Sequence, residues 1–327
     1  MKIKNEWELL QSINQKILKT NLPINKNLIT SIGDDAAVFR LGQNRYGLIT
    51  TDLSLEGVHF LLGSMSLVDI GFKAMSANIS DIAAMGGKPN FAFISLGIPL
   101  DFEQKSILTL YRGFIKAANQ ANLIISGGDI SKAEKLLINI TIYGEKTGKP
   151  ILRSGAEEGD YIYISGTLGD SLAGFEVMTS KDANVCFKSL QKKHKQPSGR
   201  LNLVPEVLKK YSPKAMIDVS DGLLSDLGHI CVSSQKGFIL EEDKIPFSSS
   251  LYKYVRQKKK NLSDYFLRSG EEYELLFTSS KKIDKVFFIK GIRISRIGQI
   301  KKNGYFLQKK GILSKVNLKG FDHFNKL

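Results

Sequence analysis

The chain has 327 residues, 42% of them hydrophobic, and a formal net charge of +15 at pH 7. That length fits two domains, and that hydrophobic share fills a core in each. Its two cysteines, Cys186 and Cys231, lie far apart without CxxC spacing, which excludes a disulfide scaffold and a cysteine-ligated zinc site and fits a reducing compartment.

The N-terminal stretch MKIKNEWELLQSINQKIL sets Trp7, Leu10, Ile13 and Ile17 near helical spacing among charges. It reads as a surface helix with one apolar stripe, since a signal peptide needs an uninterrupted apolar region. No apolar run approaches the roughly 20 residues of a membrane span, so a cytoplasmic protein is expected.

A glycine and acid turn follows (SIGDDAAVF, 31–39), then a strand, YGLITTDLS (46–54). LVDIGFKAMSANISDIAAMGG (67–87) predicts a long helix closed by a glycine pair. Next come a strand over 91–100, a helix over 103–122, a short strand LIISGGD (123–129) and a strand over 136–146. TGKP (147–150) reads as a linker, dividing the chain into domains 1–148 and 149–327. The second half opens with strand YIYISGT (161–167) and the turn TLGD, read as a strand-to-helix turn into LGDSLAGFEVM. In MIDVSDGLLSDLGHI (216–230) a buried strand runs into a helix whose Leu223, Leu224, Leu227 and Ile230 share a face. Further strands are expected over 273–279, 293–300 and 305–309. The mixture makes the fold α/β or α+β.

The basic excess is mostly lysine, in scattered runs such as QKKHK (191–195) and RQKKK (256–260) that read as solvated loops. A dedicated nucleic-acid site is therefore not expected, and attraction for a polyphosphate is a milder use of the same charge.

The acids are more informative. Asp34 and Asp35 sit in a glycine turn, Asp52 ends an apolar strand, and Asp81 lies one turn after Asn78 on a small-residue helix face. Asp129 follows two glycines, and Asp218 and Asp221 stand at a strand–helix joint. A single aspartate in such a place is commonly a cap or turn residue, and Asp34 is read that way. The whole set, with no lysine or arginine at pairing distance in sequence, calls for hard cations instead. Mg²⁺ takes oxygen ligands and is held by a few carboxylates together with substrate phosphates. Neighbouring glycines let phosphates approach the backbone. Carboxylates, metals and a glycine turn together describe phosphoryl transfer.

GDDAAV, TTDLSLEGVHF, NISDIAAMGGKP, GGDISKA, RSGAEEGDYIYISGTLGDSLAG, IDVSDGLLSDLGHI, SGEEYELLFT and GFDHF occur here in the order seen in the thiamine-monophosphate kinase family, which the chain resembles from about residue 30 onward. The resemblance implies the two-domain fold of the aminoimidazole ribonucleotide synthetase-like superfamily, its N-terminal domain forming a barrel across a homodimer. It implies ATP-dependent phosphorylation of thiamine monophosphate to thiamine diphosphate by direct transfer, with several Mg²⁺ and no partner of nucleic acid or membrane. It implies metal ligands at Asp35, Thr50, Thr51, Asp52, Asp81, Asp129, Asp218 and Asp221. Gly128, Asp129, Arg153 and Ser220 would meet ATP, and His59, Glu271 and Phe321 would line the thiamine monophosphate site. Phe321 stands where the family usually carries Trp or Tyr, which keeps ring stacking on a cation and loses a polar edge.

No general base is required, because a phosphate monoester dianion is already nucleophilic. Other readings are an aminoimidazole ribonucleotide synthetase, a selenophosphate synthetase, which would carry a reactive cysteine near its N-terminus, and a hydrogenase-maturation protein, which would end in cysteine. A basic nucleic-acid-binding protein would leave the carboxylates unexplained.

Overall fold

The computed structural model describes residues 6–19, 25–180, 187–283 and 286–318. A helix, α1 (Glu6–Leu18), precedes a six-stranded sheet built from β1 (Leu28–Thr30), β2 (Ala37–Gly42), β3 (Arg45–Leu55), β4 (Lys88–Ile98), β5 (Ile124–Lys132) and β6 (Leu137–Thr147). Its order is β1-β2-β3-β6-β4-β5, antiparallel except between β4 and β5. Helices α2 (Leu67–Ala84) and α3 (Gln104–Ala121) connect the strands around β4.

The second half forms another sheet from β7 (Tyr161–Ser165), β8 (Ala215–Asp218), β9 (Gly237–Glu241), β10 (Leu275–Ser279), β11 (Phe287–Ile289), β12 (Ile292–Lys301), β13 (Tyr305–Lys309) and β14 (Ile312–Lys315). Its order is β14-β13-β9-β12-β7-β10-β8, with β11 paired to β12. Its helices are α4 (Asp170–Thr179), α5 (Lys188–Lys195), α6 (Val204–Tyr211), α7 (Leu223–Ser234), α8 (Ser249–Gln257) and α9 (Leu262–Arg268). Mixed α/β architecture with two sheets is what the sequence leads one to expect.

Helix α2 carries the connection to the site. Ser66 caps it, its side chain accepting from the Asp69 N–H at 3.1 Å. Apolar side chains then cover it nearly all round, including Ile70, Phe72, Met75, Ile79 and Ile82, as befits a helix buried on several sides. It packs on α3 at backbone range. A Cβ added to Gly71 would lie 2.3 Å from the Leu110 carbonyl oxygen, and one on Gly113 would lie 2.1 Å from that of Val68. Helix α3 buries Leu110, Phe114, Ala117, Ala118 and Ala121 along one stripe.

Strand alternation sorts the first sheet into two faces. Leu48, Thr50, Ala92, Ile94, Leu96, Ile138, Ile140 and Ile142 point inward under α2 and α3 and are buried. Ile49, Leu53, Phe91, Phe93, Ile124 and Ile130 are exposed, and those of β3 and β4 lie on the outer face by alternation. The strand expected over 123–129 continues to Lys132, because its glycines follow β4 in parallel register instead of ending it. The strand expected from Tyr273 begins at Leu275, since Tyr273 takes a left-handed backbone with φ of 51°. On α1 the expected apolar stripe leaves Ile13 and Ile17 exposed.

Candidate active site

Three aspartates from different elements meet. Asp35 comes from the turn before β2, Asp81 from α2 and Asp218 from the end of β8, and one carboxylate oxygen of each lies within 4.8 Å of the others. The two halves of the chain thus supply one cluster. Asp52, at the inward face of β3, feels the charge of Asp35 and adds its own to Asp81. Burial and then Asp35 push the Asp218 carboxyl up to about 8, and the same two causes push Asp52 up to about 6. Burial, with Asp52, Asp218 and Asp35 in turn, holds Asp81 well above the usual carboxylate range. The hydroxyl of Thr50 donates to Asp81 at 2.6 Å and that of Ser80 to Asp218 at 2.5 Å, fixing both carboxylates.

One cation does reach the cluster, contrary to the expectation that side chains leave these acids alone. Arg153 donates from Nε and Nη2 to Asp35 Oδ1 at 3.1 and 2.6 Å, a pairing across the chain that sequence spacing does not display. The Arg153 main-chain N–H donates to Asp34, at 3.1 Å to Oδ2, so the turn reading of Asp34 extends to stapling the segment that carries the arginine. Asp35 Oδ2 remains buried without a partner. One guanidinium among four carboxylates leaves the cluster strongly acidic, and an orphaned buried oxygen beside other carboxylates is the donor set a hard cation takes.

The remaining sequence-derived residues spread from this centre. Thr51 is turned to the opposite face of β3, where its hydroxyl meets Thr141 at 3.0 Å, so its side chain does not join Thr50 and Asp52. Only its main chain is left to serve a ligand, for the simple reason that neighbouring strand residues alternate. Asp129 is exposed on edge strand β5, in one register row with Ser95, Asn139 and Leu53. Asp221 lies in a second group with Asp226 and His229, whose ligand atoms also fall within 4.8 Å of one another. Asp226 Oδ2 accepts the N–H groups of Asp221 and Gly222 at 3.2 and 3.0 Å, which shapes the turn containing Ser220. Phe321 lies outside the described residues.

Gly128 brings the chain closer to its neighbour than any side chain allows. Its φ is 150°, and an added Cβ would sit 1.7 Å from the Ile94 carbonyl oxygen. Gly128→Ala is therefore expected to push β5 off β4 at an overpacking cost of about 1–3 kcal/mol or more. Denaturant unfolding should show the loss.

The stretch Gly270–Glu274 divides its three glutamates among three tasks. Glu274 is fully buried; against that burial, Arg200 and Lys193 hold its carboxyl down to about 2. Glu272 accepts the N–H groups of Gly169 and Ser171 at 2.8 and 3.0 Å, capping α4 from a distance. Glu271 alone keeps a partly open side chain, 31% exposed. It takes a left-handed φ of 57° and pairs with Lys73 at 2.6 Å. Against burial, Lys73 and His194 hold it below the usual carboxylate range. His59 Nδ1 accepts the Leu55 N–H at 3.0 Å, which assigns the proton to Nε2.

The run QKKHK is not the solvated loop its composition implied. It lies in α5, where Lys193 pairs with Glu274 at 2.5 Å and His194 is buried. The run over 256–260 behaves as expected at most positions, although Lys260 pairs with Glu176 at 2.8 Å. Tyr273, buried among Glu271, Asp52, Asp218 and Asp81, was also not anticipated.

The chain is similar to several known proteins. The family described as AIR synthase related protein, N-terminal domain, matches residues 33–145. Thiamine-monophosphate kinase of Aquifex aeolicus is 37% identical over 296 residues, covering 90% of this chain and 92% of that one. The Bacillus subtilis protein of that name is 31% identical over 333 residues, covering 98% and 99%. The solved structure of AaThiL complexed with AMPPCP and TMP superposes with a TM-score of 0.86 at 34% identity, covering 99% of each chain. A HypE-HypF complex superposes with a TM-score of 0.71 at 19% identity over 94% of this chain and 99% of that one, a likeness of fold alone.

Proposed function

The chain belongs to the thiamine-monophosphate kinase family and is a kinase, and on that footing we propose that it transfers the γ-phosphoryl group of ATP in line to thiamine monophosphate, giving thiamine diphosphate. The observation that carries the proposal is the meeting of Asp35, Asp81 and Asp218 from both halves of the chain, with Asp35 Oδ2 buried and unpartnered.

Asp35, Asp52, Asp81 and Asp218, with Asp129, Asp221, Thr50 and the main chain of Thr51, would hold several Mg²⁺ ions. Bound there, Mg²⁺ supplies the positive charge that lets two phosphate-bearing reactants approach. The protein's own part is positioning. Thr50 and Ser80 fix two of the carboxylates, and Arg153, anchored by Asp35, would offer its remaining guanidinium donors to phosphate oxygens. Gly128 and Ser220 present backbone and hydroxyl to the nucleotide. A monophosphate oxygen of the acceptor forms the new P–O bond as the bond to ADP breaks, without a side chain taking a proton. His59, Glu271 and Phe321 would receive the thiamine portion.

The division at 148/149 and a homodimer belong to the same reading. The open apolar outer face of the first sheet, with Ile49, Leu53, Phe91 and Phe93, is what a barrel closed by a second copy would cover. No helix among the described residues is long and apolar enough to cross a membrane, and the buried free Cys231 fits action in the reducing cytoplasm.

The deciding assay mixes protein, ATP, Mg²⁺ and thiamine monophosphate and looks for thiamine diphosphate. Formation of ADP and thiamine diphosphate in equal amounts is expected. ATP consumption without thiamine diphosphate would move the chain to another reaction.

A further inference from the structure

Lys73 is the one lysine of α2, a helix whose buried side chains are otherwise uncharged, and its side chain is 7% exposed. A buried ammonium is costly unless paired. Asp81 of the carboxylate cluster lies on the same helix, yet the Lys73 ammonium pairs with none of that cluster's four aspartates. Its Nζ meets Glu271 Oε1 at 2.6 Å, His194 Nε2 at 3.2 Å and the main-chain oxygen of His59 at 3.4 Å. Three acceptors use all three ammonium donors.

His194 completes the arrangement from α5. Burial, then Lys73, push its imidazole down to about 4, so the ring is neutral. Nε2 faces an ammonium and must accept, which puts the proton on Nδ1. That nitrogen lies 3.1 Å from Ser171 Oγ and 3.6 Å from Glu271 Oε2. Both oxygens of Glu271 therefore have a positive or proton-bearing neighbour on their inner side. Exposure rises outward, from His194 at 4% and Lys73 at 7% to Glu271 at 31%.

The backbone holds the same residue in place. Glu271 donates its N–H to the Ser220 oxygen at 2.7 Å, and Glu272 and Tyr273 donate to Val219 at 3.1 and 2.8 Å. A left-handed conformation at a glutamate costs energy and persists only where its surroundings impose it.

We propose that Lys73 and His194 are positioning residues that hold the Glu271 carboxylate ionised and turned toward the acceptor, so that affinity for the cationic thiamine portion is set from α2 and α5. The inference rests on the reading of Glu271 as an acceptor-site residue and goes beyond it, since it assigns roles to Lys73 and His194, which that reading leaves out. Lys73→Met withdraws the charge behind Glu271 while keeping the length of the side chain. KM for thiamine monophosphate should rise about tenfold, as for loss of one hydrogen bond to a charged group, and KM for ATP by less than about twofold.

The double variant Lys73→Met/Glu271→Gln decides whether Glu271 mediates the effect, and it folds without an uncompensated buried carboxylate if the single variant does not. Its KM for thiamine monophosphate should match that of Glu271→Gln alone. A further tenfold rise in the double variant, or equal rises in both KM values for Lys73→Met, would overturn the pairing. An active parent whose KM for thiamine monophosphate ignores Lys73→Met sinks the pairing alone. A parent that makes no thiamine diphosphate sinks the kinase reading and the pairing together.

Discussion

Asp218→Asn is expected to lower turnover by roughly three orders of magnitude, the scale of removing several kcal/mol of charge stabilisation at a metal site, while leaving the metal-free fold at least as stable as the parent. The two halves of this expectation have one cause. Asp218 is 1% exposed, and its carboxyl is pushed up to about 8, first by burial and then by Asp35. Ionised without a cation, it is a liability to the fold; bound to one, it is a ligand. Asparagine keeps the shape and one acceptor for the Ser80 hydroxyl, which now reaches Asp218 at 2.5 Å. It cannot neutralise a divalent ion. Asp52→Asn should behave alike, because its carboxyl faces the same cluster from β3. Rate measurements at saturating Mg²⁺ together with thermal melts in chelator provide the check. Near-normal turnover in both variants would remove the metal role. Lost activity accompanied by a much lower melting temperature would make these aspartates structural supports.

Much of this site was legible because its acids stand where an ordinary fold avoids them. Aspartates at strand ends and glycine turns mark Asp35, Asp52 and Asp218, a small-residue helix face marks Asp81, and the apolar runs mark α2 and α3 around them. Strict alternation sets Thr50 and Asp52 on one face of β3 and Thr51 on the other, a distinction lost when the family resemblance names all three as ligands. What escaped is what long-range pairing decides. Arg153 reaches Asp35 across 118 positions, and no local pattern announces it. Lys193 and His194 hide in a basic run whose other members face water, because helical phase and a distant glutamate select which side chains turn inward. Lys73 lies on a mostly buried helix and, being no metal ligand, is not marked by the pattern that marks the acids.

In chelator, the protein should melt at progressively lower temperature between pH 6.5 and 8, and Mg²⁺ should raise the melting temperature more at pH 8 than at pH 6.5. The sign follows from proton counts. A carboxyl near 8 in the folded state and 3.8 in the unfolded one binds more protons when folded throughout that window, so stability falls as pH rises. Asp81 and Asp226, both held well above the usual range by burial and then by neighbouring aspartates, act in the same direction. So does Glu272, raised to about 7 by burial and then by Asp170, against Lys193 and its hydrogen-bond donors. Below pH 6.5 the trend is opposed. His194 and His229 are pushed down to about 4, chiefly by burial, and so lose stability as pH falls from 6.5 toward 4. Glu274, held at about 2, stays ionised in both states above pH 6.5 and adds no slope there. Ligand carboxylates must be deprotonated to bind a metal, so the ion gains most where the bare cluster suffers most. Asp218→Asn should flatten the slope in chelator by removing one of the raised groups. A melting temperature that rises from pH 6.5 to 8 in chelator, or a Mg²⁺ shift equal at both pH values, would mean that the clustered carboxylates are neutralised by the protein itself and need no cation.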